Sequence, residues 1–252
     1  MEELESRSYG DVVVEAYPQH GIAVLALESV KVTAGRTDET AHAIEDAARE
    51  LGRSGFRKLV APHVSTTDTD LVGCLKRVGF SVRLAMLRFE CDLPRATTDR
   101  EPVGLVLPAE LTSDDLTGVS RAGLETAFLQ CFPDEDAEST INKTVDVKSF
   151  LGHASFFAGR EDEVIGFTLV RATSCQAAYV AYQGTVPEWR RRGVGSYLLW
   201  RSVAAVTELG FLKLVGDQVF ADNTAVIRVL RKCRFEQVAK QLNMSLDLQK
   251  LA

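Results

Sequence analysis

Hydrophobic and polar positions follow two periods along this chain, and the switches between them mark its elements. Residues 11–17 (DVVVEAY) and 21–30 (GIAVLALESV) are β-branched runs, and the PQHG around their junction supplies Pro and Gly for a turn, which predicts a hairpin. Ala41, Ile44, Ala47, Ala48 and Leu51 then recur at helical spacing, predicting a helix over 37–51 capped by Thr37 or Asp38. A strand over 56–64, a short helix over 70–78 and a long strand over 81–93 follow. The polar stretch RATTDREP at 95–102 reads as a linker.

Beyond it, the pattern predicts a strand at 103–107 and a helix at 113–132, carrying Leu116, Val119, Ala122, Leu124 and Phe128 mostly on one face. The acidic stretch 133–138 breaks it, and a second helix is predicted over 137–150. Strands follow at 154–159 and 163–171, joined by the charged turn REDE, and another at 177–186. A helix runs to about Leu209, then a strand over 213–220, a helix over 224–232 and a last extended segment over 235–248.

The two halves repeat. At a constant offset of 155, GFRKLV at 55–60 lies over GFLKLV at 210–215, and the match runs without a gap to Asp92 and Leu93 over Asp247 and Leu248. Twelve of the thirty-nine aligned positions are identical, and the order of elements agrees, so one supersecondary unit is present twice.

Composition narrows the classes. In 252 residues, 46% are hydrophobic and 25% charged, as in a globular protein with a substantial core. The net charge of -6 argues against general binding to nucleic acid or to an anionic membrane. The acidic start MEELESR lacks an apolar core, so no signal peptide is predicted, and no apolar run approaches the ~20 residues of a membrane span. The five cysteines are odd in number and never spaced as a metal or redox pair, and the histidines show no metal-like spacing. A reducing cytoplasm is the expected setting.

The chemistry concentrates at residues 185–200, TVPEWRRRGVGSYLLW. This stretch reads as a strand end, a basic turn with two glycines one residue apart, and the start of a helix. Free amides at a helix N-terminus bind anions, and glycines let the main chain approach a phosphate. Three arginines alone would suit a solvated turn; their place before Gly193 and Gly195 favours a phosphate-bearing ligand.

These residues resemble the GNAT superfamily of N-acetyltransferases. Its cofactor motif is met by Arg190, Gly193 and Gly195, and Pro187-Glu188-Trp189 matches the approach to it. Asn223 opens the next helix at the family's Asn, and Phe235 closes it at the family's Phe. The resemblance covers about 103–248 by element order, and 185–235 by motif. It implies an α/β (α+β) fold of two tandem GNAT-like domains, 1–97 and 103–252, each with a mixed, mostly antiparallel sheet flanked by helices. The turn 34–37 of the first half has no paired glycines, so that half is expected to be degenerate and structural.

The resemblance further implies acetyl-CoA as cofactor. Its pyrophosphate would meet the amides of Arg191, Arg192, Gly193, Val194, Gly195 and Ser196, with the side chains of Arg190 to Arg192 nearby. Its pantetheine arm would run beside Thr185 and Val186, where an amide near Val186 would polarise the thioester, and Asn223 completes the cofactor set. The acceptor is an amine of a small molecule or peptide that attacks directly. Many relatives place a Glu about eleven residues before the motif; here Tyr179 stands there, with Gln183 expected on the same face by alternation. Where relatives carry a Tyr proton donor, counting seven on from Asn223 gives Leu230, and the Gly before the closing Phe is Arg234. Tyr179, Tyr182 and Gln183 are therefore the candidate catalytic groups. The alternatives are proton transfer through water, or a domain that binds acyl-CoA without fast turnover. His153 is a weaker candidate base, and Cys175 a weaker nucleophile. A monomer or homodimer is expected, with no metal.

Overall fold

The computed structural model describes residues 5–9, 12–17, 22–26, 37–94, 102 and 104–250. The PQHG turn, residues 34–36 and linker residues 95–101 lie outside them. In chain order the elements are β1 (Glu5–Tyr9), β2 (Val12–Tyr17), β3 (Ile22–Ala26), α1 (Thr37–Arg53), β4 (Lys58–Ser65), α2 (Thr69–Val78) and β5 (Ser81–Asp92). Then come β6 (Thr112–Asp115), α3 (Arg121–Cys131), α4 (Ala137–Val145), β7 (Phe156–Arg160), β8 (Glu163–Ala172) and β9 (Ala177–Thr185). The last are α5 (Val194–Glu208), β10 (Lys213–Phe220), α6 (Thr224–Lys232) and β11 (Glu236–Asp247).

The chain divides into two compact units, Met1–Leu87 with Ala239–Ala252, and Arg88–Val238. The division falls inside β5 and β11, where the sequence pattern alone places it at the linker. The reason is strand pairing: β4 takes β11 as its antiparallel neighbour, with Leu246 opposite Leu59.

In the first unit, β1, β2 and β3 form an antiparallel meander, and β3 then pairs parallel to β4, with α1 as the crossover. The predicted helical face of α1 is the buried one: Ala41, Ile44, Ala47, Ala48 and Leu51. They pack with Leu59 and Ala61 of β4, Leu75 of α2 and Met244 of β11. Fully burying each large aliphatic of this set contributes roughly 1.5–3 kcal/mol. β1, with the polar sequence ESRSY, is a strand that the hydrophobic pattern does not announce.

In the second unit the neighbours run β5-β10-β9-β8-β7-β6. β8 is buried at every position from Val164 to Val170, as a strand covered on both faces must be. One cover is α3, whose Phe128 stacks on Phe167 of β8 at 5.8 Å between ring centres. The other is α5, which brings Val194, Leu198 and Leu199 to the core.

Three elements differ from the pattern. Gly104 to Leu107, expected in a strand, is irregular, with Gly104 at φ 77°. The helix expected from Ser113 begins only at Arg121. Before it, Thr112 to Asp115 form β6, and Asp115 turns its carboxylate back to the amide of Thr117. Such local bonds from Asp and Ser compete with helix. Ser120 then caps α3 through Gly123 N–H at 3.1 Å. α4 stops at Val145 rather than 150.

Candidate functional site

β9 and β10 pair in parallel only from Ala177 to Tyr179 against Lys213 to Val215. Beyond Tyr179 the two strands part, which leaves one edge of β9 open. Val186 N–H donates to Ile165 O on the β8 side at 2.9 Å, so by alternation the main-chain groups of Gln183 and Thr185 face the open edge.

From the end of β9 the chain turns through Pro187 to Trp189, and Arg190 is extended at φ -63° and ψ 154°. Arg191 at φ 64° and Gly193 at φ 89° are both left-handed. For a non-glycine residue such a turn costs roughly 1–2 kcal/mol, and successive amides in it converge on a concave anion site. Among the described residues, none of the backbone N–H groups from Arg191 to Ser196 has an acceptor in the protein. The first intrahelical bond after the turn is Tyr197 N–H to Gly193 O at 3.0 Å.

The carbonyls of the same turn are held from behind. Gln183 Nε2 donates to Gly195 O at 2.8 Å, and the Cys233 thiol to Ser196 O at 3.3 Å. Gly166 lets the helix start sit on β8, because a Cβ there would lie 2.9 Å from Val194 Cγ1. Arg191 and Gly193 to Ser196 line a cleft of about 760 Å³, walled by β9 on one side and by Asn223 with Val226, Val229 and Lys232 of α6 on another.

Cations surround it. Arg190 Nε donates to Thr185 O at 3.1 Å, across the open edge of β9. Arg192 lies over the Trp189 ring at 4.7 Å, and Arg160 reaches the same ring at 6.0 Å. Lys232 Nζ donates to Gly104 O at 3.0 Å.

Gln183, Thr185, Arg190, Arg191, Gly193, Val194, Gly195, Ser196 and Asn223, all singled out from the sequence, line this one cleft. Arg192 does not line it; its guanidinium stacks on Trp189 instead. Val186 is buried, and its amide is spent on Ile165 O. Asn223 Oδ1 caps α6 by accepting Val226 N–H at 3.2 Å, which leaves its amide nitrogen for the cleft.

The expected shared face of Tyr179 and Gln183 is overturned by a bulge. Val180 pairs with Val170 and Tyr182 with Leu169, so Ala181 is the extra residue and alternation slips by one. Tyr179 lies opposite Arg171 and Tyr182 opposite Leu169, which share a face of β8; Gln183 lies opposite Thr168 on the other. Gln183 thus points to α5, while Tyr182 packs on Phe128 and Phe132 with ring centres at 5.1 and 5.7 Å. Burial, then the Glu135 carboxylate and Tyr179, push the Tyr182 phenol above its ordinary value.

His153 is exposed and paired to Asp115 at 2.9 Å, which makes it part of the β6 turn. Cys131, Phe132 and the α6 row Val226, Val229 and Lys232 line the cleft without having been singled out in advance. The α6 row follows Asn223 at steps of three, so extending that face along the helix identifies it. The Cys131 thiol is raised to about 11 by burial, against the lowering effect of Arg190, and is no nucleophile at neutral pH. Among the described residues no group of three His, Cys, Asp or Glu could hold a metal ion, and no helix is long and apolar enough to cross a membrane.

The sequence profile of the Acetyltransferase (GNAT) family matches residues 121–235, a span that contains the whole turn and both cleft walls. Residues 121–235 form a GNAT domain. The fold extends the likeness beyond it. A tandem GNAT protein from the clavulanic acid biosynthesis pathway is similar over 98% of this chain and 83% of its own, with 15% identity and a TM-score of 0.63. A GCN5-related N-acetyltransferase from Sphaerobacter thermophilus is similar over 94% and 81%, with 14% identity and a TM-score of 0.64. Another from Kribbella flavida is similar over 96% and 89%, with 15% identity and a TM-score of 0.55. At these identities the likeness is one of fold: a tandem GNAT architecture, with the GNAT domain as its second part. No curated protein matches the sequence.

Proposed function

We propose that this protein is an acyl-CoA-dependent N-acyltransferase that moves an acetyl group from acetyl-CoA to an amine of a small molecule or peptide. The observation that carries the reading is the run of six unpaired amides from Arg191 to Ser196, in a turn whose residues, Arg192 apart, line a cleft that Arg190, Arg191 and Lys232 also line. A diphosphate presents many acceptor oxygens and a negative charge, and the N-terminal end of α5 offers donors and a favourable dipole. Gly193 and Gly195 keep side chains out of that approach.

Bound acetyl-CoA would supply the thioester that donates the acetyl group. The open edge of β9 offers the main-chain groups of Gln183 and Thr185 to an extended arm, in the manner of an added strand, and an N–H there can stabilise developing negative charge on a carbonyl oxygen. The acceptor amine attacks as the free base: its nitrogen bonds to the acetyl carbon, the carbon–sulfur bond breaks, and the amine's surplus proton leaves through a base or a water. The sulfur departs with a proton, for which Tyr182, held as a neutral phenol, is the candidate donor. The five unpaired thiols suit the cytoplasm. The first unit serves a structural role.

A second reading, an acyl-CoA-binding protein without turnover, is favoured by Leu230. It is buried, with Cδ2 3.0 Å from where a Gly216 Cβ would stand, so no hydroxyl is offered at that point of α6. Calorimetry with CoA, followed by thiol release from acetyl-CoA against a panel of amines, separates the two. Binding with amine-dependent release supports the enzyme; binding alone supports the second reading. Gly193→Asp and Gly195→Asp, which place a negative charge in the cradle, should abolish binding, and normal binding by either would overturn the site.

A further inference from the structure

The first unit contains its own copy of the α5–α6 corner, and the chain has closed it. At the offset of 155, Asp38 of α1 corresponds to Gly193, Cys74 to Val229, and Arg77 of α2 to Lys232. In the first unit the Cys74 thiol donates to Thr37 O at 3.8 Å, and Arg77 Nη1 meets Asp38 Oδ1 at 2.6 Å. A carboxylate of the chain thus sits at the start of α1, where an anion belongs, and the cation that holds it comes from the last turn of the following helix. Both side chains are more than half exposed, so the pair adds little stability. Its value is geometric: it shows which position on the second helix faces an anion at the start of the first.

In the second unit the carboxylate is gone and the cation remains. Lys232 lines the cleft, and among the described residues it makes no ion pair; it donates to the neutral Gly104 carbonyl. Arg190 is engaged by Thr185 O and Arg192 by Trp189. We infer that Lys232 is a ligand of the cofactor's diphosphate, doing for an external anion what Arg77 does for Asp38. On binding it exchanges the Gly104 carbonyl for a phosphate oxygen, a charge-assisted bond.

This rests on the cofactor reading above, and the test keeps the two apart. Dissociation constants of CoA and of dephospho-CoA, which keeps the diphosphate and lacks the 3′-phosphate, are measured by calorimetry for the wild type, Lys232→Met, Lys232→Gln and Lys232→Arg. Lys232→Met and Lys232→Gln should weaken both ligands by about tenfold and equally, and Lys232→Arg should recover most of the loss. Unchanged affinity in the Met and Gln variants overturns the role of Lys232 while the cofactor site stands. A loss confined to CoA overturns the diphosphate assignment, because it places Lys232 at the 3′-phosphate. A wild type that binds neither ligand overturns the cofactor reading and this inference together.

Discussion

Arg234 holds a φ of 65° at the position where Gly79, 155 residues earlier, holds 103°. The same offset joins His63 at 55° to Gln218 at 53°, and Gly55 at 89° to Gly210 at 83°. Left-handed backbone is costly for any residue with a side chain, so its recurrence at matching places identifies one fold used twice. Elements agree as closely: β4 and β10, and β5 and β11, start and end 155 residues apart, and Asp68 and Asn223 cap α2 and α6 by the same bond.

Gly79 is the tighter of its pair to test. A Cβ there would lie 3.3 Å from Leu246 Cδ1, on a backbone that disfavours side chains. Gly79→Ala should lower unfolding stability by about 1–2 kcal/mol in urea titration. It should leave CoA affinity unchanged; a loss of affinity would mean that the first unit contributes to the site.

Restoring the family tyrosine on α6 should not restore a proton donor. Leu230 is buried against Gly216, so Leu230→Tyr overpacks that contact. The expected result is about 1–3 kcal/mol of destabilisation with no gain in kcat. A faster variant would show that the hydroxyl reaches the reacting atoms after all.

Tyr182 is the candidate for the alternative donor role. Its phenol is raised by burial and by Glu135, and so stays protonated beyond the ordinary tyrosine range. Tyr182→Phe should reduce kcat by about 10²-fold with CoA affinity unaltered, and Tyr179→Phe should change it little. Equal rates for wild type and Tyr182→Phe would assign the proton to water.

Alkaline pH should loosen the second unit before its surface titrates fully. Burial raises the Cys91 and Cys233 thiols from 9.0 to about 12, and each also feels acidic neighbours or the other. A raised thiol means that the fold favours the neutral form. That contribution is whole below pH 9 and is lost as pH climbs from 9 towards 12, by up to about 1.4 kcal/mol per pH unit per thiol. Urea midpoints should fall between pH 8 and pH 10.5, and a flat profile would contradict the burial of these groups.

The repeat, the helical face of α1 and the glycine-arginine turn were legible in the sequence because each rests on local spacing. Ala41 to Leu51 had to face inward whatever they met, and Gly193 and Gly195 had to follow the arginines in the chain. What was not legible depends on partners distant in sequence. The bulge at Ala181, which puts Tyr179 on the face of Tyr182 instead of that of Gln183, is set by how β8 lies against β9. The loss of the Val186 amide to Ile165 has the same origin. Lys232 follows from Asn223 by helical spacing, but the ion pair of its counterpart Arg77 with Asp38 joins two different helices and has no local signal.

Hydrogen–deuterium exchange on the segment 191–196, with and without CoA, tests the central claim most directly. These amides have no acceptor in the protein and should exchange quickly alone. Saturating CoA should slow them markedly, while the start of α1, with Asp38 already in place, should not respond. Unchanged exchange at 191–196 under saturation would contradict a diphosphate seated on this turn.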